Sequence, residues 1–222
     1  MSLSLGARAR TRRHVEKPPR LRLEVDARRA QLVELGLAHF GSKAYDDVSI
    51  DDIAQAAGIS KGLLYHYFPT KRAFYVACVR SAASHLLAMT DTPEDTPPLE
   101  RLTRGLDTYL EYVRAHGRAY ATLMRSGAAV DREVVTIVDN TRAMFLARLT
   151  RGMEGAVDLE SPLLQIALVG WVGLAEAASL AWVEKCVAAS APDYAGAPPP
   201  AAIEVRDLLA KALLAIFTSR SG

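Results

Sequence analysis

Lys61, Gly62, Leu63, Tyr65, His66 and Tyr67, followed by Lys71, are the residues of this chain whose types and spacing suit contact with a polyanion. A helix opening at Lys61 puts Leu64 and Phe68 on one side and Lys61, Gly62, Tyr65 and His66 on the other. Plain solvation of a helix face favours Glu, Lys and Gln, whereas Lys, Gly, Tyr and His fit a nucleic-acid surface. A helix N-terminus together with Lys61 attracts phosphate, and Gly62 removes side-chain bulk so that the backbone approaches closely. Tyr65, His66 and Tyr67 offer hydrogen bonds to phosphates or base edges and flat apolar area for a thymine methyl. Leu63, Ser49 and Ser60 complete the expected DNA-facing set, and Lys71 is placed for a further phosphate.

Three helix starts position these residues within the segment from Val48 to Lys71. Ser49 caps the first helix, with Asp52 placed to reach back as in a capping box and Val48 and Ile53 at the positions of a hydrophobic staple. Ser60 caps the second, with Ile59 and Leu64 as a second staple, and Thr70 opens the third. Gly58 supplies the left-handed residue that a sharp turn between the first two helices needs. Two short helices joined in this way form a helix-turn-helix, whose second helix enters the major groove of DNA. A helical hairpin that merely packs on a partner would share the caps and the turn but has no use for the exposed chemistry.

The run Ile53-Ala54-Gln55-Ala56-Ala57-Gly58-Ile59-Ser60-Lys61-Gly62, then Leu64-Tyr65-His66-Tyr67-Phe68 and Lys71, resembles the DNA-binding domain of the TetR family of bacterial transcriptional regulators. The resemblance extends upstream through Ala30, Gly36, Phe40 and Tyr45, so its specific part covers roughly residues 26–80. It implies a homodimeric, all-α repressor whose C-terminal domain binds a small molecule and thereby releases a palindromic operator. An α-helical ligand-binding protein, or a TetR-like activator without classical induction, is the alternative.

Composition agrees. Half of the 222 residues are hydrophobic and 7% are aromatic, as in a helical globular protein. The formal net charge is only +2, but its distribution is uneven. Residues 1–72 carry 13 Lys and Arg against 8 Asp and Glu, and residues 73–222 carry 14 against 17, so the basic part is the part with the DNA-reading motif. Residues 1–22 hold seven Lys and Arg against Glu16, with Pro18-Pro19 breaking any continuous helix, and read as a disordered basic arm. Such an arm either adds phosphate or minor-groove contacts or is a solvated tail. The expected domains are this arm, a helix-turn-helix domain at 23–72, and an effector-binding and dimerisation domain at 73–222.

About nine helices are expected and no strands, with the first helix starting near Asp26 and the longest apolar one near Ser161-Pro162. That helix and the last one, from about Ile203, carry more apolar surface than one core face needs and are expected to form the homodimer, with Trp171, Ala178 and Trp182 along one face. The apolar run Ile166 to Ala175, ended by Glu176, is too short for a bilayer, so no membrane partner is expected. Tyr109, Tyr112, Met124, Met144, Phe145, Trp171 and Glu176 are the candidates for a ligand pocket, suited to a mainly apolar molecule with one polar handle. Glu176 either pairs with an arginine such as Arg148, contacts ligand, or faces solvent. The five histidines show no HExxH spacing, and no GxSxG, P-loop or Rossmann glycine pattern occurs, so neither an enzyme nor a metal or cofactor site is expected. Cys78 and Cys186, with no CxxC, fit reduced thiols in a cytoplasmic protein that gathers at the nucleoid when bound to DNA.

Overall fold

The computed structural model describes residues 19–93, 95–122, 131–151 and 158–218. Among these it contains nine α-helices and no strand: α1 (Pro19–Ser42), α2 (Ile50–Ala56), α3 (Lys61–Tyr67), α4 (Lys71–Met89), α5 (Pro98–Ala115), α6 (Gly117–Thr122), α7 (Arg132–Thr150), α8 (Pro162–Ala189) and α9 (Ala202–Thr218). The first helix starts earlier than the pattern implies. Pro19 opens it rather than breaking it, because a proline at the first helical position lacks only an N–H that would have no partner there. Residues 19–22, expected in the basic arm, therefore belong to α1, and the rest of that arm lies outside the described residues. Pro162 likewise opens α8, after Ser161, which is buried and makes no side-chain cap bond.

Two hydrophobic cores share the molecule. The first gathers Leu32, Phe40, Ile53, Leu64, Phe68 and Phe74 from α1 to α4, and it also takes in Val134 and Val138 of α7. The second joins Leu102, Leu106 and Leu110 of α5 with Leu164, Trp171 and Trp182 of α8 and Leu209 and Leu213 of α9. Helix α6 lies between α1 and α8. Both indoles are spent inside the protomer, since Trp171 Nε1 donates to Leu209 O at 2.9 Å and Trp182 Nε1 to Pro200 O at 2.8 Å. The expected dimer face through Trp171 and Trp182 is therefore a seam between α8 and α9 of one chain. The indole N–H groups needed buried acceptors, and the adjoining segment supplies them.

Helix α8 is long and apolar enough, by length and composition, to cross a bilayer, contrary to the expectation from its uninterrupted apolar run. Leu164, Leu168, Trp171, Ala175, Ser179, Trp182 and Val183 are nevertheless buried against its neighbours. Its other side leaves Leu163, Ile166, Val169 and Leu174 exposed.

Helices α1 and α4 cross closely at Gly36, where an added Cβ would stand 2.6 Å from both Cys78 Sγ and the Phe74 ring. Gly36→Ala is expected to destabilise the fold by about 1–3 kcal/mol through overpacking, measured by urea unfolding at fixed protein concentration. Cys78→Ala in the same background should recover part of that loss, and a Gly36→Ala protein of unchanged midpoint would contradict this packing.

Candidate nucleic-acid interface and internal cavity

The turn before α3 is built by backbone bonds that the sequence permits only with glycine. Gly58 has φ +64°, and its N–H donates to Gln55 O at 3.0 Å while the Ile59 N–H donates to Ala54 O at 3.0 Å. This paired closure of a helix C-terminus requires a left-handed residue at the position of Gly58. Ser49 Oγ accepts the Asp52 N–H at 3.2 Å and Ser60 Oγ accepts the Leu63 N–H at 3.1 Å. Each hydroxyl keeps its own proton to donate to an approaching phosphate. The Asp52 carboxylate faces the Lys43 ammonium at 3.9 Å rather than turning back to complete a capping box.

Leu64 and Phe68 anchor α3 in the first core, both at or below 1% exposure. Lys61, Gly62, Leu63 and His66 lie exposed on its outer side. Tyr65 does not stand fully with them: it and Tyr67 are half-buried against the same core. One step around the helix from Leu64, the broad Tyr65 ring shields the core edge with its apolar body. Lys61 Nζ holds Asp51 Oδ2 at 2.7 Å, and that bond raises the lysine's affinity for its proton. The pair is exposed, so phosphate can displace the carboxylate at small cost. Lys71 differs more from expectation. Its ammonium donates to Asp46 O at 3.0 Å and lies 4.8 Å over the Tyr45 ring, tying the α1–α2 connection to α4. The carbonyl and the ring fix the position of the ammonium without cancelling its charge.

A second candidate site is a cavity of about 170 Å³ walled by α4, α5, α7 and α8, larger than the apolar void of about 150 Å³ that admits benzene. Tyr109, Tyr112, Phe145, Trp171 and Glu176 line it. Met144 does not. It is 48% exposed and borders a shallow surface depression with Asp91 and Pro93, because one position before Phe145 on α7 points away from the bundle. Met124 lies outside the described residues. Arg101, Arg142 and Arg148 line the cavity as well, although residue type singles out only Arg148, and that as a partner for Glu176. The period of α7 from Val138 through Thr141, Arg142, Phe145 and Arg148 carried that signal for Arg142 and Arg148.

Glu176 is held by Arg142, not by Arg148. Arg142 Nε donates to Glu176 Oε1 at 2.8 Å and Nη2 to Oε2 at 2.7 Å, while Nη1 reaches Asp139 at 2.8 Å. The Glu176 carboxylate raises the arginine's pKa further. Beside this pair the hydroxyls of Tyr109 and Tyr120 meet at 2.7 Å, and burial pushes both phenols up, so both stay protonated.

The cavity borders the first core directly. Val79 of α4 and Val138 of α7 line the cavity and belong to the first core. At the start of α7, Asp131 caps the helix by accepting the Glu133 N–H at 2.9 Å and receives Arg72 in a two-point contact at 2.6 and 2.8 Å. The Arg72 guanidinium holds the Asp131 carboxyl below its usual range. Arg80 adds a 2.8 Å contact to Glu133. Four charged side chains thus fasten the beginning of α7 to α4.

Comparison with known proteins gives one family throughout. Residues 32–78 match the family described as bacterial regulatory proteins, tetR family, and residues 98–214 match the tetracyclin repressor-like C-terminal domain. A TetR-family transcriptional regulator from Streptomyces coelicolor superposes with a TM-score of 0.72 at 31% identity, covering 87% of this chain and 83% of that one. The transcriptional regulator AcuR of Cereibacter sphaeroides is 28% identical over 121 residues, 53% of this chain and 54% of that protein. The regulator RutR of Escherichia coli is 26% identical over 152 residues, 67% of this chain and 63% of that protein. The matched stretch thus spans between about half and two-thirds of these curated relatives' length.

An added side chain at Gly62 meets nothing closer than Ser60 Oγ at 4.0 Å, so the protein itself tolerates one there. Gly62→Leu is expected to leave stability unchanged or raise it by about 0.5–1 kcal/mol, read by thermal unfolding. On a duplex selected from a random library, the same change should weaken binding by about tenfold or more, the cost of a blocked close contact. Opposite signs in the two measurements identify a surface that approaches DNA; unchanged duplex affinity would remove α3 from the interface.

Proposed function

We propose, from the fact that this chain belongs to the TetR family of bacterial regulatory proteins, that it is a homodimeric repressor released from a palindromic operator by a small, mainly apolar molecule. Membership makes it a transcriptional regulator with a helix-turn-helix head and a helical C-terminal domain. The repressing role, the dimer, the palindrome and the release are our reading. We divide the chain into a basic arm at 1–22, a DNA-binding unit at 23–72 and an effector and dimer unit at 73–222, acting in the cytoplasm at the nucleoid.

The observation that carries the reading is α3, a seven-residue helix held from beneath by Leu64 and Phe68 and offering Lys61, Gly62, Leu63 and His66 outward. Nothing in ordinary folding calls for that combination on a solvent face. Release follows from the shared wall. A molecule that fills the cavity presses on Val79 and Val138, and those two side chains also pack the core that seats α3. Interiors are close-packed, so displacement of α4 against α7 is transmitted rather than absorbed. The Arg72–Asp131 contact makes the two helix starts move together.

A second copy of the chain accounts for the uncovered side of α8. Leu163, Ile166 and Val169 are 64–69% exposed, and Leu208 of α9 is 59% exposed. Between them Gly170 and Gly173 leave open space above the helix, room for another helix to approach closely. A contiguous apolar surface of this kind marks an interface, and a two-fold interface sets two copies of α3 against the half-sites of a palindrome.

A gel shift on the promoter beside its own gene is expected to give a sequence-specific band that weakens steeply as salt rises. No such band at low salt, with the fold intact, would overturn the regulator reading. Val169→Glu should convert the dimer to monomer in sedimentation while preserving helical circular dichroism, and lower operator affinity by about a hundredfold through loss of the second half-site. Persistence of the dimer in that variant would move the interface elsewhere.

A further inference from the structure

We propose that the cavity takes a compact, uncharged hydroxyl compound, one ring with a small apolar substituent, whose hydroxyl bonds to that of Tyr120; this rests on the reading of the cavity as the effector site. The volume of about 170 Å³ is little more than the apolar void of about 150 Å³ that admits benzene, which sets the size at one ring and a small group. Leu102, Leu106, Phe145, Leu149 and Trp171 surround that ring. Such a wall binds by burying apolar surface, and the few polar groups set into it decide what else the ligand carries.

The charged groups of the wall are already held by the protein. Arg142 meets Glu176 through bonds at 2.8 and 2.7 Å, and Asp139 takes its remaining edge at 2.8 Å. Arg148 is paired with Asp91 at 3.4 Å and donates to the Leu87 carbonyl. Arg101 is held by the Thr96 and Arg151 carbonyls, at 2.9 and 2.6 Å, and by a further contact. A carboxylate or ammonium on the ligand would give up its hydration and then compete with partners already in place. An uncharged molecule makes no such demand. The hydroxyls of Thr90 and Thr141 are likewise turned to the helix carbonyls of Leu86 and Ile137, at 2.8 and 2.7 Å.

The tyrosine pair is different. Tyr109 of α5 and Tyr120 of α6 both line the cavity and bring their hydroxyls to 2.7 Å, a contact that uses one phenolic proton. Tyr109 also has Ser179 as a hydrogen-bond partner, and the fully buried Ser179 gives its own proton to the Ala175 carbonyl at 2.7 Å. The open end of this group is therefore Tyr120. When Tyr120 donates to Tyr109 its lone pairs are left over, and when it accepts its proton is left over. A ligand hydroxyl answers both arrangements, giving a proton in the first and taking one in the second. Tyr120 is only 7% exposed, so bulk water reaches it poorly, and a buried polar group left without a partner is costly. A ligand that supplies that partner is favoured over one of the same shape that does not.

Isothermal titration of the full chain with para-cresol, para-xylene, para-toluate and para-methylbenzylamine tests this. All share one ring and one methyl group and differ in the group opposite it. The expected result is para-cresol tightest, about threefold or more ahead of para-xylene and about tenfold or more ahead of the anion and the cation. Tyr120→Phe should abolish or reverse the lead of cresol over xylene, because the ligand hydroxyl is then buried without its partner. The wild-type order needs no variant and decides the matter even if Tyr120→Phe does not fold. An anion or cation that binds best, xylene equal to or tighter than cresol in the wild type, a cresol lead undiminished in Tyr120→Phe, or no binding by any member of the series would each overturn the proposal. A persisting operator band in those cases leaves the regulator reading standing, and its absence strikes that reading separately.

Discussion

Two valines hold this molecule to its task. Val79 and Val138 face the cavity and at the same time belong to the core on which α3 rests. Had the two domains packed through an ordinary surface contact, a cavity in one could fill without consequence for the other. Here the partition is one side chain thick. The charged clasp of Arg72 and Arg80 with Asp131 and Glu133 lies at the same joint, so the start of α7 follows α4 rather than sliding over it. The N-terminal core is consequently not the property of the first four helices alone.

The charges are placed in keeping with that joint. On α3 the cation Lys61 is only loosely engaged by an exposed carboxylate and stays available to a stronger anion. Lys71 bonds to the Asp46 backbone carbonyl and lies over the Tyr45 ring, which fastens the α1–α2 connection to α4. Inside the bundle, Arg142 and Glu176 close on each other, and Arg148 is bonded to the Leu87 carbonyl and paired with the Asp91 carboxylate at 3.4 Å. Residue counts alone give a chain near neutrality. What acts on a ligand or on DNA is where each charge is already answered and where it is not.

Helix α8 shows how composition misleads without neighbours. Its 28 residues are apolar enough for a membrane by length and composition, and its run of apolar types offers no stripe to read. One side is core, tied to α9 by the Trp171 indole. The side carrying Ile166 and Val169 remains bare, and a bare apolar side on an otherwise packed helix is what the proposed second copy covers.

Local bonding was legible in the sequence because it spans a few residues. The caps at Ser49, Ser60 and Thr70, the left-handed Gly58 and the burial of Leu64 and Phe68 depend on side chains three or four positions apart, and a helix brings such neighbours together wherever it occurs. The all-α class and the outward chemistry of Lys61, Gly62 and His66 followed from the same short-range rules. Tyr65 and Lys71 were less legible, since what shields them belongs to other elements. Met144 and Phe145 could not be told apart by type, for only the seating of α7 decides which of two adjacent positions meets the cavity. The partner of Glu176 was likewise undetermined until Arg142, 34 residues away, was brought across from α7 to α8. Sequence determines what each helix offers along its length. Tertiary structure alone decides which offers meet, because pairings between helices depend on their azimuth and depth of packing, and neither is written in any one segment.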